Sequence, residues 1–570
     1  MKNLLSLLLG VLFSLTACTG SPPIKPDNNQ IGDYSYLKTY LTWLIEEDIA
    51  KQDVEGLSVA IVDDQKIVWS QGFGYADTAY KIKASPETVY RVGSISKLFT
   101  DTLVMQLAEQ GKLDIDRPLQ SYLPEFSIKT RFPNAKPITP RNIMTHHSGL
   151  PGDVGRGMWT KNPVPFNQLV SQLKDEYVAH PPNTIWSYSN LGITLLGAML
   201  QEVTGENFNH YAERQLLKPL GMNRAAFSSG IEGKFAAKAY KDHEEKLEVP
   251  LRDIPAGGLN ANVLDMSQFM KMVFADGKAN GRQILKPETL KEILRPQNKA
   301  VALDAGFQIG LGWMLRNDQG IETIAEHGGA TLYHRSQLSV LPQHKLGVIV
   351  SANSPPTGDL FSKLTNTALK LAVAIKTGKQ VPIDDDKPII TTRSLNAQEQ
   401  MIGAGQYATS VGYVKLTPEN DSLTTEVDDH AIDLVARDDG NYGIRYKLLG
   451  LFAIEPDEFT QFSLSLKNIL GHDLALGHYQ NQSFVFGEKI KPVPISQSWR
   501  NRLGQYEIIN LTQGEALVPE KCALKEQEGF LMLEYSIPTF DINNLSLPIA
   551  PMSDKEATIL GQGRGMQETV

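Results

Sequence analysis

Apolar and polar positions along this chain follow two periods that change places several times. Residues 36–50 carry Tyr40, Leu41, Trp43 and Leu44 at helical spacing. Residues 57–62 and 67–69 are β-branched runs parted by Asp63-Asp64-Gln65, which predicts a hairpin. After Thr88, Val89 and Tyr90, a strand-like run, the helical period returns. Leu98, Thr102, Met105 and Leu107 then give one apolar side, with Gly111 as the stop. Further helices are predicted over 193–203, 263–274 and 369–375, and strands over 338–341 and 346–350. Residues 381–397, with Asp384-Asp385-Asp386, read as a linker. Beyond them the pattern becomes short alternating runs with many turns. Gly405-Gln406-Tyr407 and Gly504-Gln505-Tyr506 each open such a section, which predicts one larger β-barrel or two small repeats.

Local signals refine this outline. Thr139 suits a helix N-cap and Pro140 the first helical position. The short helix they start is expected to carry His146 and His147 as far as Gly149. Neighbouring histidines on a helix point apart, and no third ligand stands at a suitable spacing, so no metal site is predicted. Residues 151–183, rich in Gly, Pro and Asn, read as a long surface excursion beside a cleft.

The first 18 residues read as an export signal: Lys2, an apolar run over 4–15, then Thr16, Ala17 and Cys18. The run is shorter than the roughly 20 residues a membrane span needs. Leu15-Thr16-Ala17-Cys18 resembles the bacterial lipoprotein box, which implies a lipid on Cys18 and a location in the bacterial periplasm or outer envelope, anchored to membrane. Cys522 is the only other cysteine, so a lipidated Cys18 leaves no disulfide. Residues 19–33, with Pro22, Pro23 and Pro26, form a tether.

At 570 residues the chain is too long for one core. Its net charge of -9 includes no long basic run, which excludes nucleic acid as an expected partner.

The candidate chemistry starts at Ser94 and Lys97. Residues three apart on a helix share a face, and a neighbouring amine can activate a hydroxyl. Ser-x-x-Lys recurs at Ser35…Lys38 and Ser171…Lys174, both read as solvated helix turns. Tyr188 and Asn190 project to one side of an extended segment: a phenol to relay protons, an amide to hold a carbonyl or the lysine. Tyr479-Gln480-Asn481 repeats that pattern. Glu326-His327-Gly328-Gly329-Ala330 lies between strand-like runs, where glycines admit a substrate backbone and a cation or donor would meet a carboxylate. Lys376-Thr377-Gly378 closes a helix and reads as a C-terminal cap.

In this order, Ser94-x-x-Lys97, Tyr188-x-Asn190 and His327-x-Gly329 resemble the serine β-lactamase and penicillin-binding superfamily, in its class C-like branch. Thr145-His146-His147-Ser148-Gly149-Leu150, Leu217-Lys218-Pro219-Leu220-Gly221-Met222 and Pro255-Ala256-Gly257-Gly258-Leu259 agree with it. The resemblance implies an α/β domain over residues 34–380: an antiparallel sheet flanked by helices, plus an all-helical region, with the site between them. Residues 398–570 resemble a lipocalin-like, mainly β barrel. Ser94 is then expected to be the nucleophile, Lys97 its electrostatic partner, Tyr188 the proton relay and Asn190 the positioning amide. His327, Gly328 and Gly329 bind substrate, and the N–H groups of Ser94 and Ala330 form the oxyanion hole. No cofactor or metal is implied. Tyrosine and lysine both titrate near about 10, so one must fall by about 3 units to serve as a base near neutrality.

The third motif departs from the Lys-Thr-Gly of class C β-lactamases, and a neutral histidine anchors a penicillin carboxylate weakly. The expected enzyme is therefore a serine hydrolase of DD-peptidase type on small-molecule or peptide substrates. The alternatives are a carboxylesterase or weak β-lactamase, or a non-catalytic peptidoglycan- or partner-binding protein.

Overall fold

The computed structural model describes residues 21–570 except 27–29, 52–53, 319–320, 357, 380, 383–390, 428–429, 449–451, 455–461, 510, 512–513 and 541. The export signal with Cys18, and Asp384-Asp385-Asp386 of the linker, lie outside the described residues.

Eight antiparallel strands form the central sheet. They are β1 (Gly56–Asp63), β2 (Lys66–Asp77), β3 (Ile82–Lys83), β4 (Gln308–Ile309), β5 (Met314–Asp318), β6 (Glu322–Ala330), β7 (Arg335–Leu341) and β8 (Leu346–Ala352). Their spatial order is β4-β5-β6-β7-β8-β1-β2-β3, so the last strand of the set closes onto the first, β8 against β1. Asp64, at φ 51°, turns the expected β1–β2 hairpin. β1 is apolar at consecutive positions because both faces are covered. Leu57, Val59 and Ile61 pack with α1 (Ser35–Lys51), while Ala60 and Val62 join the opposite core.

That opposite core contains α2 (Ser96–Glu109), α3 (Asn190–Thr204) and α4 (Val263–Phe274), and α5 (Leu360–Thr377) packs beside α1. α2 is buried at every position from Ser96 to Leu107, not along one stripe as its spacing suggested. It is the central helix of the helical region, so polar Thr100 and Thr102 are also inside and spend their hydroxyls on the Pro255 and Leu98 carbonyls. Residues 151–183 are more than a surface excursion, since Phe166, Leu169, Val170 and Leu173 enter the same core.

Beyond α5, Thr392–Arg393 already pairs with a barrel strand, inside the segment read as linker. Eight strands then close: β9 (Gly405–Thr409), β10 (Gly412–Glu419), β11 (Ser422–Val427), β12 (His430–Arg437), β13 (Tyr442–Leu448), β14 (Ser463–Ile469), β15 (His472–Tyr479) and β16 (Gln482–Ile490). β9 pairs with β16, and β12 with β13, giving an antiparallel barrel around Tyr407, Leu416, Leu423, Leu434 and Leu464. A separate five-stranded meander follows: β17 (Gly504–Glu507), β18 (Lys521–Gln527), β19 (Phe530–Ile537), β20 (Ile542–Pro551) and β21 (Ala557–Ile559). The two Gly-Gln-Tyr segments are the first strands of these two units. Barrel residues Leu474 and Leu476 pack on Ile185 and Leu303, and Leu517 packs near Trp159 and Leu332. The β-rich region thus rests on the rim of the helix–sheet boundary.

Candidate active site

The site is built where α2 begins and β6 ends. Arg91, 1% exposed, pairs with buried Glu248 (Nη1 to Oε2, 3.4 Å) and donates to the Ser229 carbonyl at 3.0 Å. His334 Nδ1 donates to the same Glu248 Oε2 at 3.0 Å. This buried cluster fixes the strand Tyr90–Arg91, and two residues later the chain enters the tight 3₁₀ turn Gly93–Ile95 that holds Ser94.

Two glycines explain how this turn meets β6. Gly93 has φ 53°, and a Cβ there would stand 2.6 Å from the Ala330 nitrogen. A Cβ on Gly329 would stand 2.0 Å from the Val92 carbonyl oxygen and 2.3 Å from Ser336 Oγ. The nucleophile turn therefore lies against the backbone of Gly329 and Ala330.

Lys97 sits in the first turn of α2, fully buried. Its Nζ donates to Ser94 Oγ at 3.0 Å and to the Ala256 carbonyl at 2.7 Å. Pro255-Ala256-Gly257-Gly258-Leu259 earns its place here: the turn Ile254–Gly257 aims that carbonyl at the lysine. Ser96 donates to the Gly93 carbonyl and accepts from the Leu259 nitrogen, tying the two segments together.

Tyr188, on the segment entering α3, sets its phenol beside Ser94. Its ring centroid lies 4.9 Å from Lys97 Nζ, 4.2 Å from the His146 ring and 6.3 Å from the His327 ring. Asn190 is the first residue of α3, and its Nδ2 donates to Asp153 Oδ1 at 2.7 Å.

Burial sets the electrostatics. It lowers the Lys97 ammonium to about 7, helped by the nearby Arg564 charge and opposed by Asp153, Asp101 and Asp253. Burial pushes the Tyr188 phenol up, well clear of neutrality. His327 falls to about 4, through burial and then the Lys97 charge. Its Nδ1 donates to the Gly328 carbonyl at 2.6 Å, which leaves Nε2 as a buried acceptor without a protein partner among the described residues.

The family model described as Beta-lactamase matches residues 41–372, more than half of the chain. The chain belongs to the beta-lactamase family. Members of this family are generally serine hydrolases. Protein flp of Staphylococcus aureus (strain NCTC 8325 / PS 47) is 26% identical over 321 residues, 54% of this chain and 62% of flp. The chain thus spans less than two thirds of that relative. The octameric penicillin-binding protein homologue from Pyrococcus abyssi shares the fold with a TM-score of 0.52 at 23% identity, over 79% of this chain and 98% of its own. SurE with D-Leu does so with a TM-score of 0.56 at 20% identity, over 78% and 98%. Both likenesses cover more of the chain than the family model does, and extend to its β-rich region.

Within this beta-lactamase-family chain the competing motif copies fall elsewhere. Ser35 and Ser171 are exposed. Asn481 lies in the β15–β16 hairpin turn at φ 60°. Gly378 caps α5 at φ 71°, and Lys376 pairs with Asp63. The histidine pair is not on a helix: that helix ends at Met144, and His146 takes a left-handed turn at φ 58°. The turn puts His146 against Tyr188, with Nδ1 accepting from the Ser189 nitrogen at 3.1 Å, while His147 Nε2 pairs with Asp304 at 2.9 Å.

The sequence reading missed Arg564. Residues 560–567 make a loop between β21 and a final segment that bonds back to β21, at Ile559 and Ala557. Gly561, Gly563 and Gly565 all have positive φ, at 109°, 105° and 78°, and carry Arg564 into the site. Its guanidinium carbon lies 4.9 Å from the Tyr188 ring centroid, and Nη2 donates to Asp153 Oδ2 at 3.0 Å. The Gly563 carbonyl accepts from His180 Nε2 at 3.0 Å, and Glu568 Oε1 accepts from the Gly152 nitrogen at 2.8 Å. Beside the loop is a cavity of about 350 Å³ lined in part by Trp186, Phe307, Phe484 and Arg564. The available signal was Gly561-Gln562-Gly563-Arg564-Gly565, a cation alternating with glycines.

Proposed function

We propose that this protein cleaves an ester, amide or peptide bond through an acyl-Ser94 intermediate. The observation that carries this reading is the 3.0 Å contact between Lys97 Nζ and Ser94 Oγ, in a setting that brings the amine to about 7. Near neutrality a sizeable fraction of Lys97 is unprotonated and can accept the Ser94 proton as Oγ attacks the carbonyl carbon. This makes Lys97 a base, a larger role than that of electrostatic partner. Tyr188, held protonated, passes its phenolic proton to the leaving group and regains one from Lys97. Water then attacks the acyl carbon by the reverse route, freeing Ser94. The N–H groups of Ser94, next to the glycine that lies against Ala330, and of Ala330 itself are assigned the oxyanion hole, where a single donor is worth about 10²–10³ in rate. Asn190, turned to Asp153, acts by holding that carboxylate.

Intact Ser94, Lys97 and Tyr188 weigh against a non-catalytic binder. Neutral His327 weighs against an efficient class C β-lactamase. The relative solved with D-Leu directs the first substrate screen to esters and peptides of D-amino acids. Residues 1–18 and Cys18 support export and lipid anchoring in a bacterial envelope. The test is turnover of p-nitrophenyl acetate by purified wild type and Ser94→Ala. A loss above 100-fold is expected, and retention within tenfold would overturn the reading.

A further inference from the structure

We infer that Arg564, delivered by the glycine loop of the β-rich region, is the residue that selects substrates with a free carboxylate close to the scissile bond. The inference rests on the acyl-Ser94 reading and adds a substrate class to it.

Three observations lead to it. The sheet puts no cation at position 327: His327 is 1% exposed, gives its Nδ1 proton to the Gly328 carbonyl, and presents only the acceptor Nε2. Arg335, opposite Ala330, gives its Nη1 to the Thr331 and His334 carbonyls. A carboxylate is itself only an acceptor, so it gains nothing at that position. Lys97 is also unsuited, because it is fully buried and already donates to Ser94 and Ala256. Arg564, by contrast, flanks the Tyr188 ring and leaves about half of its side chain open, 49% exposed.

The guanidinium has five N–H donors in a fixed fork. Asp153 takes one of them through a single oxygen, at 3.0 Å. Asn190 holds the other Asp153 oxygen at 2.7 Å, so the aspartate anchors Arg564 by one corner and leaves donors for a planar anion. The rest of the loop is fastened independently through Gly563 to His180 and Glu568 to Gly152. Its place over the site therefore does not depend on the arginine side chain.

The test uses benzoylglycyl-thioglycolate, whose leaving group ends in a carboxylate, and the methyl ester of the same compound. The readout is the acid-to-ester ratio of kcat/KM on the full chain. Arg564→Ala should lower that ratio at least tenfold, mainly through KM of the acid, and Arg564→Lys should recover part of it. An unchanged ratio would overturn the inference, whether both rates fall, as for a structural prop, or both rise, as for a plug in the cleft. Calorimetric binding of the two compounds to Ser94→Ala supplies a readout without turnover. Tighter binding of the acid that is lost in Ser94→Ala/Arg564→Ala supports Arg564 even if the wild type proves inert, which would defeat only the acyl-Ser94 reading. Equal binding of acid and ester counts against Arg564.

Discussion

Lys97 Nζ lies 4.9 Å from the Tyr188 ring centroid, and one buried environment moves the two groups in opposite directions. Desolvation disfavours whichever form is charged, so the ammonium is weakened and the phenolate suppressed. The pair is thereby sorted into a base and an acid. The acylation kcat/KM should be low while Lys97 is protonated and rise with pH along a limb near 7. Glu568, pushed up to about 7, also titrates there, and Glu568→Gln should keep the limb. A rate that falls between pH 6 and 8 would contradict the assignment.

The adjacent glycines of β6 should respond differently to alanine. At Gly329 the new Cβ meets the Val92 backbone, whereas at Gly328 it meets the end of the Gln337 side chain at 3.0 Å. Gly329→Ala should cost about 1–3 kcal/mol of stability and most of the activity. Gly328→Ala should stay within tenfold of wild type. Equal effects in melting and turnover would show that β6 does not pack on the nucleophile turn as described.

These glycines also show what was legible in the sequence. Ser94 and Lys97 meet because they are three residues apart, and His327-Gly328-Gly329 announces a strand approached by other backbone. The sheet and its hairpin followed from period and turn chemistry. Other parts depend on contacts between distant segments. The left-handed turn at His146 delivers that ring to Tyr188, but its residues alone read as continuing helix. α2 looked one-sided because Ser96, Lys97, Thr100, Asp101 and Gln106, which are buried with Phe99, Leu103 and Val104 off the apolar stripe, have a polarity that reads as a solvated face. Arg564 belongs to a strand meander far along the chain, and only its packing over the cleft gives it chemistry.

The cluster beneath the nucleophile turn sets a stability prediction. Glu248, with its side chain 4% exposed, is lowered to about 2 by the Arg91 and His334 charges acting against burial. A depressed carboxylate stabilises the fold above its ordinary pKa, and that contribution is lost as pH falls from about 4.5 toward 2. Glu248→Ala, which leaves Arg91 buried and unpaired, should cost about 3–5 kcal/mol in denaturant unfolding and remove the acid-limb loss from this group. A cost below about 1 kcal/mol would show that the cluster does not hold Arg91.

Anchoring is tested separately from catalysis. Cys18→Ser should release the protein from membrane fractions or block its processing, while turnover by the body of the chain persists. Unchanged membrane partition and electrophoretic mobility would count against a lipid on Cys18.

The central claim is a covalent bond between Ser94 Oγ and the acyl group of the substrate. The most direct measurement is peptide-level mass spectrometry after labelling with a fluorophosphonate, using wild type, Ser94→Ala, Ser35→Ala and Ser171→Ala. The account predicts one adduct, on the peptide containing Ser94, present in both Ser35→Ala and Ser171→Ala and absent from Ser94→Ala. An adduct on another residue, or one that survives Ser94→Ala, would contradict it.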